Sequence, residues 1–164
     1  MSGARLAPGS GQANIATGLP VLDHLLTELA RAGRFDVALE IEPDAPLAEV
    51  DAAGVAVGKA LAGLLAPGAH GSGVMLSSEA LAMVIVEASG TALVASNADL
   101  TGAGGLGTDL AARFLGALAD TAALSLHVRL IEGENTDHVL EAIFKALGVA
   151  LGAAVADADQ RSGR

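Results

Sequence analysis

Phe35-Asp36-Val37-Ala38-Leu39-Glu40-Ile41-Glu42 decides how this chain is read, because an apolar residue falls on every second position with acidic or small residues between. A period of two marks a strand with one buried and one wet face. Ahead of it, Pro20 to Ala32 places Leu22, Leu25, Leu26 and Leu29 on one helical face; Pro20 suits a first helical turn and Gly33 closes the segment. Beyond it, after a loop holding Pro43 and Pro46, helical spacing returns over Val50–Leu65, and Pro67–Gly73 breaks it. The same order then recurs. Asp109–Ala122 reads as a helix, Leu124, Leu126, Val128 and Leu130 alternate as a strand, and Asp137–Val155 is helical again. A shift of 89 residues lays the Phe35 strand over the Leu124 strand, and a shift of 90 lays Ala56-Val57-Gly58 over Ala146-Leu147-Gly148. Repetition at a fixed offset is the signature of an internal duplication. Ahead of the second helix pair, Glu79–Ala88 and Ala92–Ser96, separated by Ser89-Gly90, read as a hairpin.

The expected fold is therefore α+β: two duplicated half-domains, each a small sheet with two helices on one face, the helices packed between the sheets. Residues 1–14 carry no strand pattern and are expected to be flexible, leaving the first half (15–75) truncated. The second half spans 76–155, and the polar stretch 156–164 reads as a disordered tail.

Composition narrows the partners. Hydrophobic residues make up 52% of the chain but aromatics only 2%, so the core must be built from Ala, Leu and Val. Such side chains bury little area each, so an oligomer of high order is expected to add to stability. Nineteen Asp and Glu against nine Lys and Arg give a net charge of −10. That acidity, with no aromatic platform, argues against nucleic acid and against an anionic membrane surface. Zero Cys fits a cytoplasmic protein. The N-terminus lacks the apolar core of a signal peptide. Apolar stretches such as Ala142–Val155 are read as too short to cross a bilayer.

The residues that could carry chemistry cluster in Gly133-Glu134-Asn135-Thr136-Asp137-His138-Val139-Leu140-Glu141-Ala142-Ile143-Phe144-Lys145-Ala146. His138 and Glu141 stand three apart at a helix start, so both can reach one cation. Imidazole and carboxylate suit Mn, Fe or Zn, and two ligands do not choose among them. The plainer reading makes Asp137 the helix cap, His138 a solvated first-turn residue, and Glu141 a partner of the helix dipole. The run resembles the Gly-x-Asn-x-His-His-x-x-Glu-Ala-x-Phe-Lys-Ala motif of the imidazoleglycerol-phosphate dehydratase family, with Asp137 where the first His belongs. Thr17-Gly18-Leu19-Pro20-Val21-Leu22-Asp23-His24-Leu25-Leu26 is similar to the family's Thr-Gly-x-x-x-x-Asp-His-Met-Leu segment. Leu124-Ser125-Leu126-His127 stands where the family has Thr-Leu-His. Weaker likenesses lie at Glu79-Ala80-Leu81, Ser89-Gly90 and Thr108-Asp109-Leu110.

The resemblance covers Thr17 to Val155. It implies a hydro-lyase of histidine biosynthesis that uses Mn or another divalent transition metal, with His24, His127, His138, Glu141 and Asp137 as candidate ligands and Lys145 as a phosphate contact. Departures from the family point to one partial metal site or none, and to a weak or lost activity; no catalytic residue is assigned. Leu47-Ala48-Glu49-Val50-Asp51 replaces a second His-His-x-x-Glu, leaving only Asp51 to stand in for the Glu. Ala69 and Thr91 fall where two phosphate-gripping Arg residues belong, and the tail Arg161-Ser162-Gly163-Arg164 replaces a Ser-Thr-Lys-Gly stretch. A phosphate without bidentate Arg partners loses most of its charge-assisted contacts. The alternative function is a non-catalytic paralogue acting as an oligomeric assembly or small-ligand-binding protein.

Two further features are read as structural. His70, in the Gly-rich break, is a surface loop residue. Gly102-Ala103-Gly104-Gly105-Leu106-Gly107 has the spacing of a dinucleotide fingerprint, but a polar stretch separates it from the preceding strand, so the helix N-terminus would not meet a pyrophosphate.

Overall fold

In a computed structural model, which describes residues 2–98 and 110–163, the elements follow in the order β1 (Gly3–Pro8), β2 (Ala13–Ala16), α1 (Pro20–Gly33), β3 (Phe35–Glu40), α2 (Pro46–Ala62), β4 (His70–Ser77), β5 (Ala80–Glu87), β6 (Leu93–Ser96), α3 (Leu110–Ala122), β7 (Ser125–Glu132) and α4 (Thr136–Arg161). One sheet has the strand order β1-β3-β2, the other β4-β5-β7-β6. In the first, β3 pairs antiparallel with β1 and parallel with β2; in the second, β7 pairs antiparallel with β5 and parallel with β6. The duplication is thus a duplication of topology. Even the strained corner repeats: Arg34 and Ala123, at equivalent positions between helix and strand, take φ of 56° and 55°. Among the described residues only β4 lacks a counterpart in the first half.

Several expectations need correction. The segment 1–14 is not without strands: it holds β1 and the start of β2, whose inward residues Ala4, Leu6, Ala13 and Ile15 pack on the core. The first half therefore has its full three-stranded sheet. Ser89-Gly90 does not close a hairpin. The hairpin is β4–β5, and β6 instead runs parallel to β7. Strand β4 begins inside the Gly-rich break at His70 and runs across residue 76, so the boundary between the halves falls between Ala62 and His70. Residues 156–161 continue α4 and bury Ala158, so they are not a loose tail. Helix α4, at 26 residues, is long and apolar enough to cross a membrane by length and composition, but 67% of its apolar window is buried inside the fold, where it serves as the core helix. The Gly102–Gly107 stretch and Thr108-Asp109 lie outside the described residues.

The helices fill the space between the sheets. Helices α1 and α4 pack on each other, as do α2 and α3, so each pair joins the two halves. The approach is close because glycine sits at the crossings. A Cβ on Gly148 would run into the Leu29 carbonyl, and one on Gly58 would meet Thr121 and the Leu118 carbonyl. Leu29 with Gly148 and Leu118 with Gly58 are repeat-equivalent pairs, so the shift that aligned the sequence also relates the two helix crossings. Strand β4 exploits the same device: Gly71 and Gly73 leave room for α4 to lie directly on the strand backbone. A core of small side chains is held by such backbone-close packing.

The β1–β2 connection is tied to β3 by one carboxylate. Asp36 Oδ1 accepts the amide N–H groups of Ser10, Gly11 and Gln12 at 3.0, 3.2 and 3.0 Å. These bonds, the one from Gln12 foremost, hold its pKa below the ordinary value against a smaller desolvation effect. A depressed carboxylate pKa adds stability above the unfolded value, about 3.9, and that stability is lost as pH falls through the folded value. Asp36→Asn is therefore expected to flatten the acid limb of the stability profile below about pH 4 and to speed amide exchange at Ser10–Gln12. An acid limb identical to the parent's would contradict this.

Candidate functional site

The starts of α1 and α4 lie side by side and carry the polar residues singled out in the sequence. At α1 no side chain caps the helix in the usual way. Instead, Asp23 Oδ1 accepts both the amide N–H (2.9 Å) and the hydroxyl of fully buried Thr17. This clamp fixes the entry to the helix and leaves the next residue, His24, turned outward with 54% of its side chain exposed. Its Nε2 lies 3.5 Å from Glu141 Oε2 on the first turns of α4. The two line an open cavity of about 490 Å³ with Asp137 as the third polar wall and Pro20, Val21 and Leu140 as the apolar ones.

The start of α4 is capped by Asn135, not Asp137: Asn135 Oδ1 accepts the His138 amide N–H at 3.2 Å. The His138 ring is engaged on its Nδ1 edge, 2.8 Å from Glu79 Oε2 in the β4–β5 turn, while Glu79 Oε1 accepts the Asn135 amide at 3.2 Å. Partial desolvation pulls the Glu79 pKa upward, but the bonds from its own amide, His138 and Asn135 outweigh it and leave the carboxyl below its usual range. His138 thus turns toward the β-turn while Glu141, three residues on, turns toward α1. The expected triad of His24, His138 and Glu141 is not brought together within one chain. Among the described residues no three His, Asp or Glu side chains converge as a ligand set.

The repeat makes the first-half counterpart legible. The position equivalent to Glu141 is Asp51, and that equivalent to His24 is Arg113, and these two are joined in an ion pair between α2 and α3. Asp51, expected to stand in for a metal-ligating Glu, is occupied by a guanidinium. His127 lies exposed on the outer face of the second sheet, in register with Ile85 and Ala95, on the side away from the helices. Lys145 donates to a backbone carbonyl, that of Leu76 at 3.5 Å. Ala69 is fully buried and Thr91 exposed. His70 opens β4, where Asp157 accepts its amide at 3.0 Å and lies 3.4 Å from its ring. Sequence reasoning missed Glu79 as a partner of His138, and missed Arg113. The second was within reach, since the repeat shift applied to His24 lands on it.

A duplicated α+β sandwich with imidazole–carboxylate pairs at its helix starts is the class this fold and site define. The family described as imidazoleglycerol-phosphate dehydratase matches residues 17–151. An imidazoleglycerol-phosphate dehydratase of Desulforudis audaxviator (strain MP104C) is 36% identical over 155 residues, covering 89% of this chain and 79% of the relative. One from Clostridium botulinum (strain Kyoto / Type A2) is 36% identical over 162 residues, covering 93% and 82%. The crystal structure of the dehydratase from Staphylococcus aureus subsp. aureus N315 superposes with a TM-score of 0.82 at 30% identity, covering 93% of this chain and 91% of that one. That of Pyrococcus furiosus, in complex with (S)-C348, gives 0.81 at 27% identity, covering 92% and 85%. The chain belongs to the imidazoleglycerol-phosphate dehydratase family, lyases of histidine biosynthesis.

Proposed function

We propose that this chain is a cytoplasmic hydro-lyase for imidazole glycerol phosphate whose turnover is far slower than that of a complete family member, working with one cation-accepting pair per chain instead of two. The observation that carries the reading is the contrast between repeat-equivalent positions: His24 and Glu141 line an open cavity, whereas Arg113 and Asp51 neutralise each other.

The donors present fit a divalent transition metal by type, since an imidazole Nε2 beside a carboxylate suits Mn, Fe or Zn. His24 and Glu141 would hold it from one chain, with Asp137 beside them. His138 offers its free Nε2 edge, and the exposed His127 faces outward. Two such sets, each incomplete alone, are the arrangement expected of ligands shared between copies. A high-order homo-oligomer is further supported by Val74, Leu76 and Ile131, which are 53%, 63% and 54% exposed on the outer face of the second sheet. A bound cation supplies positive charge beside the substrate ring, which eases proton loss from carbon. The chain's own groups orient the ring in the cavity, and Lys145 is the remaining cation for the phosphate. With Ala69 and Thr91 where bidentate Arg residues would stand, ground-state and transition-state contacts to the dianion both weaken.

The test is steady-state turnover of imidazole glycerol phosphate against a complete relative with Mn supplied to both. A deficit well beyond tenfold is expected. Turnover within about tenfold, a barrier difference of about 1.4 kcal/mol, would overturn the reading. The fully buried Ala69, which leaves no basic group at that position, favours a second reading as a non-catalytic, oligomeric small-ligand-binding protein. Under that reading no turnover is found even with saturating metal.

A further inference from the structure

We infer that Glu79 is the positioning residue of His138: it fixes the ring in the Nδ1–H tautomer and so presents Nε2 as an unprotonated donor to a cation. The inference rests on the proposed role of His138 as a ligand. The geometry that carries it is a closed set of bonds at the start of α4. Glu79 uses both oxygens, Oε1 on the Asn135 amide at 3.2 Å and Oε2 on His138 Nδ1 at 2.8 Å, while Asn135 Oδ1 returns to the His138 amide at 3.2 Å. The His138 ring is therefore anchored on Glu79 and its amide on Asn135, whose own amide Glu79 holds.

An ionised carboxylate only accepts hydrogen bonds, so the nitrogen facing it must carry the proton. In a neutral ring the other nitrogen is then the free lone pair. Left alone, a histidine favours the opposite tautomer, with the proton on Nε2, so the preference here is imposed. Outer carboxylates fix the tautomer and ring orientation of histidines that bind metal in the same way. Glu79 sits in the β4–β5 turn, whose Ser78 takes a φ of 52°, and β4 is the strand with no counterpart in the first half. At the repeat-equivalent position of His138 stands Ala48, with no imidazole to orient. The hairpin and the histidine thus occur together in one half and are both missing from the other.

The test uses the full chain with ¹⁵N-labelled histidine, in three forms: unmodified, Glu79→Gln and Glu79→Ala. Glu79→Gln keeps an acceptor for the Asn135 amide, and Glu79 is 45% exposed, so folding is preserved. At a pH where the ring is neutral, the His138 nitrogen shifts are expected to report Nδ1–H in the unmodified chain and to move toward Nε2–H in both variants. Zn or Co affinity by calorimetry is expected to fall about 10- to 100-fold in the variants. His138→Ala is the reference arm. If His138→Ala weakens metal binding while the Glu79 variants do not, the positioning role is overturned and the ligand role stands. If His138→Ala leaves binding unchanged, the ligand role fails and the inference fails with it. An Nε2–H ring in the unmodified chain overturns the inference directly.

Discussion

Phe144→Ala is expected to cost about 3–5 kcal/mol of folding stability, the range for removing a fully buried phenyl group. Phe144 on α4 and Phe114 on α3 are each 0% exposed, and their rings lie 5.7 Å apart, tilted at 31°. Their neighbours in the core are almost all Ala, Leu and Val, and the glycine crossings hold the helix backbones at their closest approach, so little can move in to fill the hole. The cavity term then adds in full to the lost transfer free energy. Since domains of this kind are stable by about 5–15 kcal/mol in total, the variant should lie near the edge of folding. Urea unfolding of Phe144→Ala beside Leu76→Ala, whose side chain is 63% exposed, makes the comparison within one protein. A loss below about 1 kcal/mol at Phe144 would mean that the core repacks freely, against the close-packing account.

The second large effect is on the proposed metal. Truncating His24 or His138 to alanine is expected to abolish it while leaving the fold intact, because both side chains sit at helix starts and neither contributes to the core. His24→Ala removes the partner of Glu141 from the cavity, and His138→Ala removes the imidazole held by Glu79. Asp137→His adds an imidazole to the same wall of the cavity and is expected to raise affinity. Circular dichroism checks the fold and metal analysis after dialysis checks the ion. Loss of folding in His138→Ala would assign that residue a structural role instead.

Much of this was legible in the sequence because the two halves repeat. The alternation from Phe35 to Glu40 becomes a strand with alternating buried and exposed residues, and Leu22, Leu25, Leu26 and Leu29 are all buried on α1. The repeat shift held down to individual contacts, as the Gly58 and Gly148 crossings show. What failed to register were β1 and β2. Each carries one large inward residue, Leu6 and Ile15, among Gly and Ala over four to six positions, so the period-two contrast that identifies a strand is weak, and pairing with β3 forms them instead. The site was half legible for a related reason. Spacing along a helix brought His138 and Glu141 to one side, but it carries no information about the Glu79 turn or about α1, and these draw the two side chains apart. A single-sequence motif gives the donors; only the tertiary fold decides which of them face each other.

The most direct test is the metal content of the chain, purified without a histidine tag, loaded with Mn or Zn and dialysed. The account predicts one ion per chain or fewer, held in an assembly of several copies and lost in His24→Ala, because Arg113 already supplies the positive charge at Asp51. A metal-free protein after loading, or two ions per chain, would contradict it.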